Sequence, residues 1–552
     1  MSALAQGVGL FPLPEVESPG PTFSHSRRVQ QRTRRAAAET DLANGAVRAL
    51  NSMFCSLSST NSLTGNQSSN SNSNSTATLR AVAHVQSCSR RFVSRLAPSF
   101  QDSRLSDDAL LPQDTRDLFT AAYAFHSDAL PLSAENVALP EEPGSVDLLD
   151  ILPPALARRY ATPTPDLFRP AGDVKPAPAC RLVKSDEDYF LIIKRMLGLG
   201  MVAFTQDPKV VNGLFGTPKS DGKLRLVFDG RRVNSVFADS PEVKLPTPDL
   251  LSKLEAEPGK TLFVAKSDLD NFYHRIRMPA WMHPYFALPP VRAADLGLSA
   301  QFGPDAVIYP CCTTLPMGWS HSVYVAQAGH EHLINTLTLL KPSDCITRYS
   351  DYRLDRPRHL VYIDDLCLVG PEECRVELDS LLDQYTQVMT AKRLPPKPSK
   401  TVRPSADGVE CIGVEVHGRD LTAGVHPEKL EILVRRTRAF LIRGKCTGLD
   451  LSRLIGHWSW AFMVRRCAFS VFRAVYRFIE TAGHKTFDIW PSVAKELKVA
   501  MGLAPLLFTS LGAGWFPQVV AFDACPSGQG VVASECAPDS MYSPVCHFAS
   551  HR

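Results

Sequence analysis

Three aspartates end or interrupt apolar runs, where an uncompensated carboxylate would be costly. Asp268 follows the run KTLFVAKS, and Asp364 and Asp365 lie in the middle of HLVYIDDLCLVG. The first run predicts a strand, and the second predicts a strand–turn–strand hairpin. Adjacent acids in an apolar hairpin repel each other and lose hydration, and a bound cation removes both penalties. Carboxylates from separate strands suit Mg²⁺, so these three residues are the predicted metal ligands.

The chemistry expected of such a site is nucleotidyl transfer. Two cations about 4 Å apart can activate an attacking 3′-hydroxyl and stabilise a leaving pyrophosphate. The alternative is that the Asp364–Asp365 pair only caps a tight turn, because aspartate favours turns. The flanking apolar residues and the segments described below favour the catalytic interpretation.

Composition bounds the kind of protein that positions these acids. The chain has 552 residues, of which 44% are hydrophobic, enough for a sizeable core. Its net charge of +4 is too small to indicate a nucleic-acid partner, so any basic surface must be local. Fourteen cysteines form no CxxC pair, and no apolar run is long enough to span a membrane. We therefore expect an intracellular protein, cytoplasmic or nuclear, that is not secreted and has no membrane partner.

Composition changes along the chain predict where the compact part begins. Residues 1–25 are rich in proline and glycine, and a Ser/Asn tract near 56–78 predicts a flexible linker. Helical composition predicts helices over 26–54 and 78–97. The prolines between 140 and 180 predict an extended connector, so the compact part is expected to start near residue 181.

The acids lie in segments that resemble a known family. YIDD, from Tyr362 to Asp365, resembles the YxDD box of reverse transcriptases. AKSDLDNFYHRIRMP resembles the first catalytic box of that family, with Asp268 as metal ligand. In that box the position of Tyr273 is an aromatic that packs under the nucleotide sugar and excludes a 2′-hydroxyl. The alternative for Tyr273 is an ordinary core tyrosine.

Two further segments resemble the nucleotide-binding parts of the family. PKSDGKLRLVFDGRRVN resembles the fingers segment, which implies that Lys219 and Arg225 contact the phosphates of the incoming dNTP. LPMGWSHSVYVAQ resembles the box whose glycine lets backbone approach the nucleotide, which places Met317 and Gly318 beside it. The alternatives are an exposed basic hairpin for the first segment and a turn before a helix for the second.

The resemblance continues beyond the YIDD box. Lys400 in KPSKTVRPS occupies the position of a lysine near the leaving pyrophosphate, which implies a general acid. CIGVEV resembles the primer-grip hairpin. VVAFDACPSGQGVVASE resembles the first hairpin of a ribonuclease-H-like domain, in which Asp523 would bind metal. The further carboxylates of that domain do not follow before Arg552, so we expect its site to be incomplete.

Residues 425–480 carry a local basic patch. This segment contains eleven lysines and arginines but only four acids, and aromatic residues lie between them. Arginines suit phosphates, and the family has its duplex-holding thumb at this position. The alternative is a helical subdomain with a solvated basic face.

Together these features predict an α+β right-hand polymerase with a palm sheet, fingers and a helical thumb. A largely disordered N-terminal region with short helices is expected over 1–180. Fingers and palm are expected over 181–425, thumb and connection over 426–510, and a partial ribonuclease-H-like segment over 511–552.

The expected function is that of an RNA-directed DNA polymerase of a retrotransposon. It would add dNTPs to a primer on an RNA or DNA template, using two Mg²⁺ ions, for which Mn²⁺ could substitute. Two alternatives stay open. One is a non-catalytic or truncated remnant of a mobile element that binds nucleic acid. The other is an RNA-dependent RNA polymerase, which would favour a smaller or polar residue at Tyr273.

Overall fold

Helices and short strands alternate along the chain in the computed structural model. It describes residues 11–17, 27–58, 76–96, 129–178, 181–219, 222–514, 518–525 and 528–535. The strands, β1 to β20, are Val137–Ala138, Val146–Asp147, Val202–Thr205, Gly213–Pro218, Leu224–Asp229, Leu262–Asp268, Ile276–Arg277, Val291–Arg292, Val307–Cys312, Arg358–Tyr362, Asp365–Pro371, Val402–Ser405, Val409–Cys411, Val414–His417, Thr422–Gly424, Lys445–Thr447, Thr486–Asp488, Phe508–Ser510, Gln518–Cys525 and Gly528–Glu535.

The described helices range from single turns of 4 residues to the 32 residues of the first helix. In chain order, α1 to α15 are Arg27–Ser58, Thr76–Ser94, Leu148–Ile151, Pro154–Ala161, Asp186–Gly198, Arg231–Val236, Pro248–Leu251, Phe272–Arg275, Ser299–Phe302, Ser322–Leu337, Arg375–Ala391, Pro427–Arg443, Gly448–Met463, Ala474–Ala482 and Pro491–Leu503. Helices α1 and α2 correspond to the two predicted N-terminal helices. In the described residues, no helix has the length and apolarity needed to cross a bilayer.

The palm is an antiparallel sheet with strand order β10-β11-β6-β12. Its side chains alternate between two cores. Leu366 and Leu368 pack in one core together with Leu378 of α11, whereas Cys367 and Val369 belong to the core on the other face. Because both faces are covered, residues 262–265 of β6 and 366–369 of β11 are all apolar.

Residues 129–178 belong to the compact part, so the predicted extended connector is wrong. Strand β1 pairs with β5, and β2 pairs with β7. Leu148, Ile151 and Tyr160 are completely buried in the core they share with the palm. Proline does not prevent this packing, since Pro154 begins α4, where a helix does not need the missing N–H. The compact part therefore begins by residue 129, not near 181.

The thumb is built from α12 to α15 around a second core. Trp458, Phe462 and Phe478 are completely buried there, and the Trp458 indole N–H donates to the Thr437 hydroxyl at 3.0 Å. The N-terminal helices pack on this core through Ala49 and Phe92, among others. The described elements thus confirm the α+β right-hand class with fingers, palm and thumb. The Ser/Asn tract lies mostly outside the described residues.

Candidate active site

The three aspartates meet at one end of the palm sheet. Asp268 is the last residue of β6, Asp365 is the first residue of β11, and the two are direct partners in the antiparallel register. Asp364 occupies the two-residue turn between β10 and β11, and its carbonyl accepts a hydrogen bond from the Leu269 N–H at 2.9 Å. The hairpin predicted from the apolar run carries Asp364 and Asp365, and its pairing with β6 brings Asp268 to the same end of the sheet.

The turn that carries Asp364 is strained. Ile363 has φ +56°, a conformation that β-branched residues rarely adopt. The Gln327 side chain fixes the turn, because its Oε1 accepts from the Ile363 N–H at 2.6 Å and its Nε2 donates to the Val361 carbonyl at 3.0 Å. Helix α10, which follows the predicted LPMGWS loop, thus holds the acid pair in place.

A buried histidine completes this support. His330 Nδ1 lies 2.8 Å from the Ile363 carbonyl, and its Nε2 lies 2.9 Å from the Tyr385 hydroxyl. Burial lowers the pKa of His330 to about 4, so the ring is neutral at pH 7. A neutral ring that donates to the Ile363 carbonyl must accept from Tyr385. The sequence prediction missed both residues, although His330 lies three positions after Gln327, on the same side of α10.

We expect Tyr385→Phe to slow nucleotide addition without weakening primer–template binding. The change leaves His330 Nε2 without its partner, which costs about 1 kcal/mol of unfolding free energy and loosens the Ile363 turn. A displaced Asp364 would lower the first-nucleotide rate by roughly tenfold. The measurement is single-turnover extension beside a binding isotherm.

Tyr352→Phe is the matched control for that change. It removes a buried tyrosine hydroxyl that donates to the Thr347 and Arg348 carbonyls, outside the site. It should cost similar stability and leave the rate unchanged. Equal rate losses in the two variants would show that Tyr385 acts through stability alone.

Negative charge is concentrated at the acid pair. Burial and the charge of Asp268 raise the pKa of Asp364 to about 6. Burial and the charges of Asp364 and Asp268 raise the pKa of Asp365 to about 7. A cation bound between these groups would favour their ionised forms, so the donor set fits a hard divalent ion with oxygen ligands.

The carboxylates do not form a complete cage by themselves. Among the described residues, no group of three acidic, histidine or cysteine side chains is already arranged to hold a metal ion. Instead, Lys400 Nζ forms an ion pair with Asp268 Oδ2 at 2.5 Å. Mg²⁺ commonly takes one or two protein carboxylates and completes its shell with water and substrate phosphates, which is the arrangement that suits these residues.

Lys400 reaches the site from the segment that follows α11. The Lys397 N–H donates to the Asp268 carbonyl at 2.7 Å, which holds this segment against the end of β6. Partial burial lowers the pKa of Lys400, but its hydrogen bond to Asp268 and the three aspartate charges outweigh that effect and raise it. Lys400 is therefore protonated at neutral pH and able to donate a proton beside the acids.

Gly318 lies at a close contact between the backbone of its own loop and that of β5. A Cβ on Gly318, which has φ +128°, would lie 2.0 Å from the Phe228 carbonyl oxygen of β5. The Phe228 N–H donates to the Met317 carbonyl at 3.1 Å, and Asn234 bonds both the Gly318 carbonyl and the Ser320 N–H at 2.9 Å. The fingers strand and the loop are thus locked together, with Met317 half-buried and Gly318 exposed.

Two of the remaining predicted nucleotide contacts, Tyr273 and Arg225, lie near Asp364. Tyr273 is half-buried, and burial together with the charge of Asp364 raises its pKa. Arg225 is exposed on β5, close enough for its charge to lower the pKa of Asp364. Lys219 directly follows β4 and lines a cavity of about 550 Å³ together with Asp270. Asp221, two residues further along the chain, lies outside the described residues.

A cavity of about 460 Å³ separates the acids from the thumb. It is lined by Asp365, by Gly413 of the CIGVEV hairpin and by Trp460 of α13, among others. A Cβ on Gly413 would lie 2.6 Å from Trp460 Nε1, so that hairpin and the thumb are in close contact. Not every cation of the predicted basic patch faces outward, since Arg436 is buried beneath this cavity.

Asp523 lies in the last hairpin. Strands β19 and β20 pair antiparallel over their whole length, with Asp523 opposite Gly530. The side chains of this hairpin lie outside the described part of the structure. Asp523 as a metal ligand therefore stays a prediction.

Comparison with known proteins gives a family match and matches to retroviral polyproteins. The family model described as reverse transcriptase (RNA-dependent DNA polymerase) matches residues 217–416. The Gag-Pro-Pol polyprotein of Human T-cell leukemia virus 3 is 26% identical over 190 residues, which is 34% of this chain and 11% of the polyprotein. That of Human T-cell leukemia virus 2 is 24% identical over 274 residues, 50% of this chain and 16% of the polyprotein.

Solved structures give a more distant likeness. The foamy viral protease-reverse transcriptase in complex with dsDNA has 14% identity and a TM-score of 0.44, covering 82% of this chain and 78% of that one. The polyproteins are far longer than this chain, which spans about a tenth to a sixth of their length. The family match covers the fingers segment, all three aspartates and the primer-grip hairpin. Residues 217–416 of this chain therefore match the reverse transcriptase family.

Proposed function

We propose that the chain is an RNA-directed DNA polymerase of a retroelement, which extends a primer 3′ end with dNTPs. The observation that carries this proposal is the direct pairing of Asp268 with Asp365, with Asp364 in the clamped turn between β10 and β11. The match to a family described as RNA-dependent DNA polymerase supports it. The proposal includes two-metal catalysis with Mg²⁺, which Mn²⁺ could replace.

The residues of the site would have three different roles in the reaction. Asp268, Asp364 and Asp365 would hold the metal ions, which supply charge neutralisation and activation of the 3′-hydroxyl. Arg225 and Lys219 would bind the triphosphate, and Lys400 would protonate the leaving pyrophosphate from its position beside Asp268. Catalysis of this kind depends on positioning, which the clamped turn provides.

The exposed backbone at Gly318 would lie against the nucleotide and its template base. Its φ of +128° and its contact with Phe228 leave no room for a side chain, so the nucleotide meets a flat backbone surface. Met317 would flank the base or sugar. On the other side of the acids, the CIGVEV hairpin and α13 would hold the primer terminus.

Template choice tests the proposal. Purified full chain should extend a DNA primer annealed to an RNA template, with Mg²⁺ and dNTPs, and an RNA-templated product should reach the template end. Extension restricted to DNA templates would contradict the RNA-directed assignment. Extension with rNTPs in preference to dNTPs would favour an RNA-dependent RNA polymerase instead.

Tyr273→Val tests sugar selection at the same site. Tyr273 is half-buried next to Asp364, so a smaller residue would leave space where the 2′-hydroxyl of a ribonucleotide lies. We expect the ratio of rNTP to dNTP incorporation, measured as kcat/KM, to rise by roughly 10- to 200-fold. An unchanged ratio with retained activity would mean that Tyr273 is only a core residue.

A further inference from the structure

Helix α1 is a fixed part of the thumb. A Cβ on Gly502 of α15 would lie 2.6 Å from the Gly45 carbonyl oxygen and 2.8 Å from Ala49 Cβ, so the two helix backbones approach each other directly. Ala49 is buried as part of the thumb core. An N-terminal helix that packs this closely extends the thumb surface.

This packing forms a groove of about 790 Å³ between α1, α12 and α15. The charged residues that line it are four exposed cations and one exposed carboxylate, an excess of three positive charges: Arg48, Arg438, Lys495, Lys498 and Asp41. The whole chain of 552 residues carries only +4. Lys495 and Lys498 are three residues apart on α15 and therefore project from one side of that helix.

The charge of the groove is available to an external anion. Arg48 pairs with Glu15 at 3.1 Å, but both side chains are more than half exposed, and such pairs are weak. Within the ranges that the structure describes, Arg438, Lys495 and Lys498 form no ion pair. A polyanion entering the groove would thus meet at least three cations without having to displace an acid.

The groove is separate from the catalytic cavity. Helix α12 lines both, but with different faces. Leu433 and Arg436 line the cavity beside Asp365, whereas Val434 and Arg438 line the groove. A strand bound in the groove therefore lies outside the cleft between palm and thumb.

We propose that this groove binds the sugar–phosphate backbone of a nucleic-acid strand that extends beyond the duplex held in the cleft. The inference rests on the proposed function only in that a primer–template must occupy the cleft. Exposed lysines and arginines attract phosphodiesters without regard to sequence, and each contact adds to the salt dependence of binding. The N-terminal helix would thereby lengthen the nucleic-acid track of the thumb.

Binding of two substrates by the full chain tests this proposal. One is a minimal hairpin primer–template, and the other is the same hairpin with a single-stranded extension of about 20 nucleotides, longer than a typical single-strand site. Fluorescence anisotropy should show on the order of tenfold tighter binding of the extended substrate by the wild type. Lys495→Glu with Lys498→Glu should abolish that preference and lower the salt slope for the extended substrate by about 1.4. Its extension of the minimal hairpin should stay unchanged.

Lys341→Glu with Lys392→Glu is the matched control, because it makes the same charge change at exposed lysines that do not line the groove. RNA and DNA extensions run in parallel distinguish the source of the phosphates. A groove variant that keeps the preference, or a control that loses it equally, would overturn the proposal. Wild type that shows the preference but does not extend primers would instead refute the proposed function and leave the groove in place.

Discussion

Substituting asparagine for both Asp364 and Asp365 should reduce the rate of nucleotide addition by about three orders of magnitude or more. This loss corresponds to roughly 4 kcal/mol of transition-state stabilisation. Both carboxylates lie at the edge where the metal ions are proposed to bind, and an amide is a poor substitute for a carboxylate toward Mg²⁺. Single-turnover extension at saturating primer–template is the measurement.

The same double variant should not lose stability. Burial and mutual repulsion raise the pKa of both acids, so their charged forms destabilise the fold when no metal is bound. Uncharged asparagines remove that cost. The unfolding temperature in metal-free buffer should stay the same or rise. Asp270→Asn is the matched control, because Asp270 lies two residues after Asp268 but pairs with Arg275 at 3.3 Å. Comparable rate losses in the control would contradict the assignment of the acid pair.

Gly318→Ala should cause a large loss of stability although it adds only one methyl group. The added Cβ would lie 2.0 Å from the Phe228 carbonyl, and the backbone has φ +128°. Strain and overlap together should lower the unfolding free energy by about 3 kcal/mol or more. Relief of the overlap separates β5 from the loop, so dNTP affinity should fall as well. Denaturant unfolding and the KM for dNTP measure the two effects.

Gly303→Ala separates conformational strain from overlap. Gly303 also has a positive φ, +95°, but a Cβ there would meet no atom within 4 Å. It should cost about 1 kcal/mol and leave the KM for dNTP unchanged. If both variants lose the same stability, the contact between Gly318 and Phe228 does not hold the loop.

The acids were the most predictable part of the site. A strand that ends in Asp268 and a hairpin that turns at Asp364 follow from apolar runs with turn signals. Nothing in those runs fixes the register that places Asp268 opposite Asp365, which depends on pairing across about 100 residues. Metal ligation and the roles of Lys219, Arg225, Met317 and Lys400 stay predictions.

The supports of the site were harder to predict. His330 and Tyr385 lie on different helices and meet only in the folded core, so no local pattern indicates their contact. The frequent prolines of residues 140–180 predict an extended connector, but the buried side chains between those prolines decide how the segment packs. Likewise, the composition of α1 predicts a helix but does not indicate that Gly45 packs against the thumb.

The most direct test of the central claim is primer extension by the purified full chain on an RNA template, with Mg²⁺ against a chelator and with dNTPs against rNTPs. The account predicts extension that needs both Mg²⁺ and dNTPs and that disappears on chelation. A folded chain that binds the primer–template tightly, yet adds no nucleotide in either Mg²⁺ or Mn²⁺, would contradict it and identify the domain as a non-catalytic nucleic-acid binding remnant.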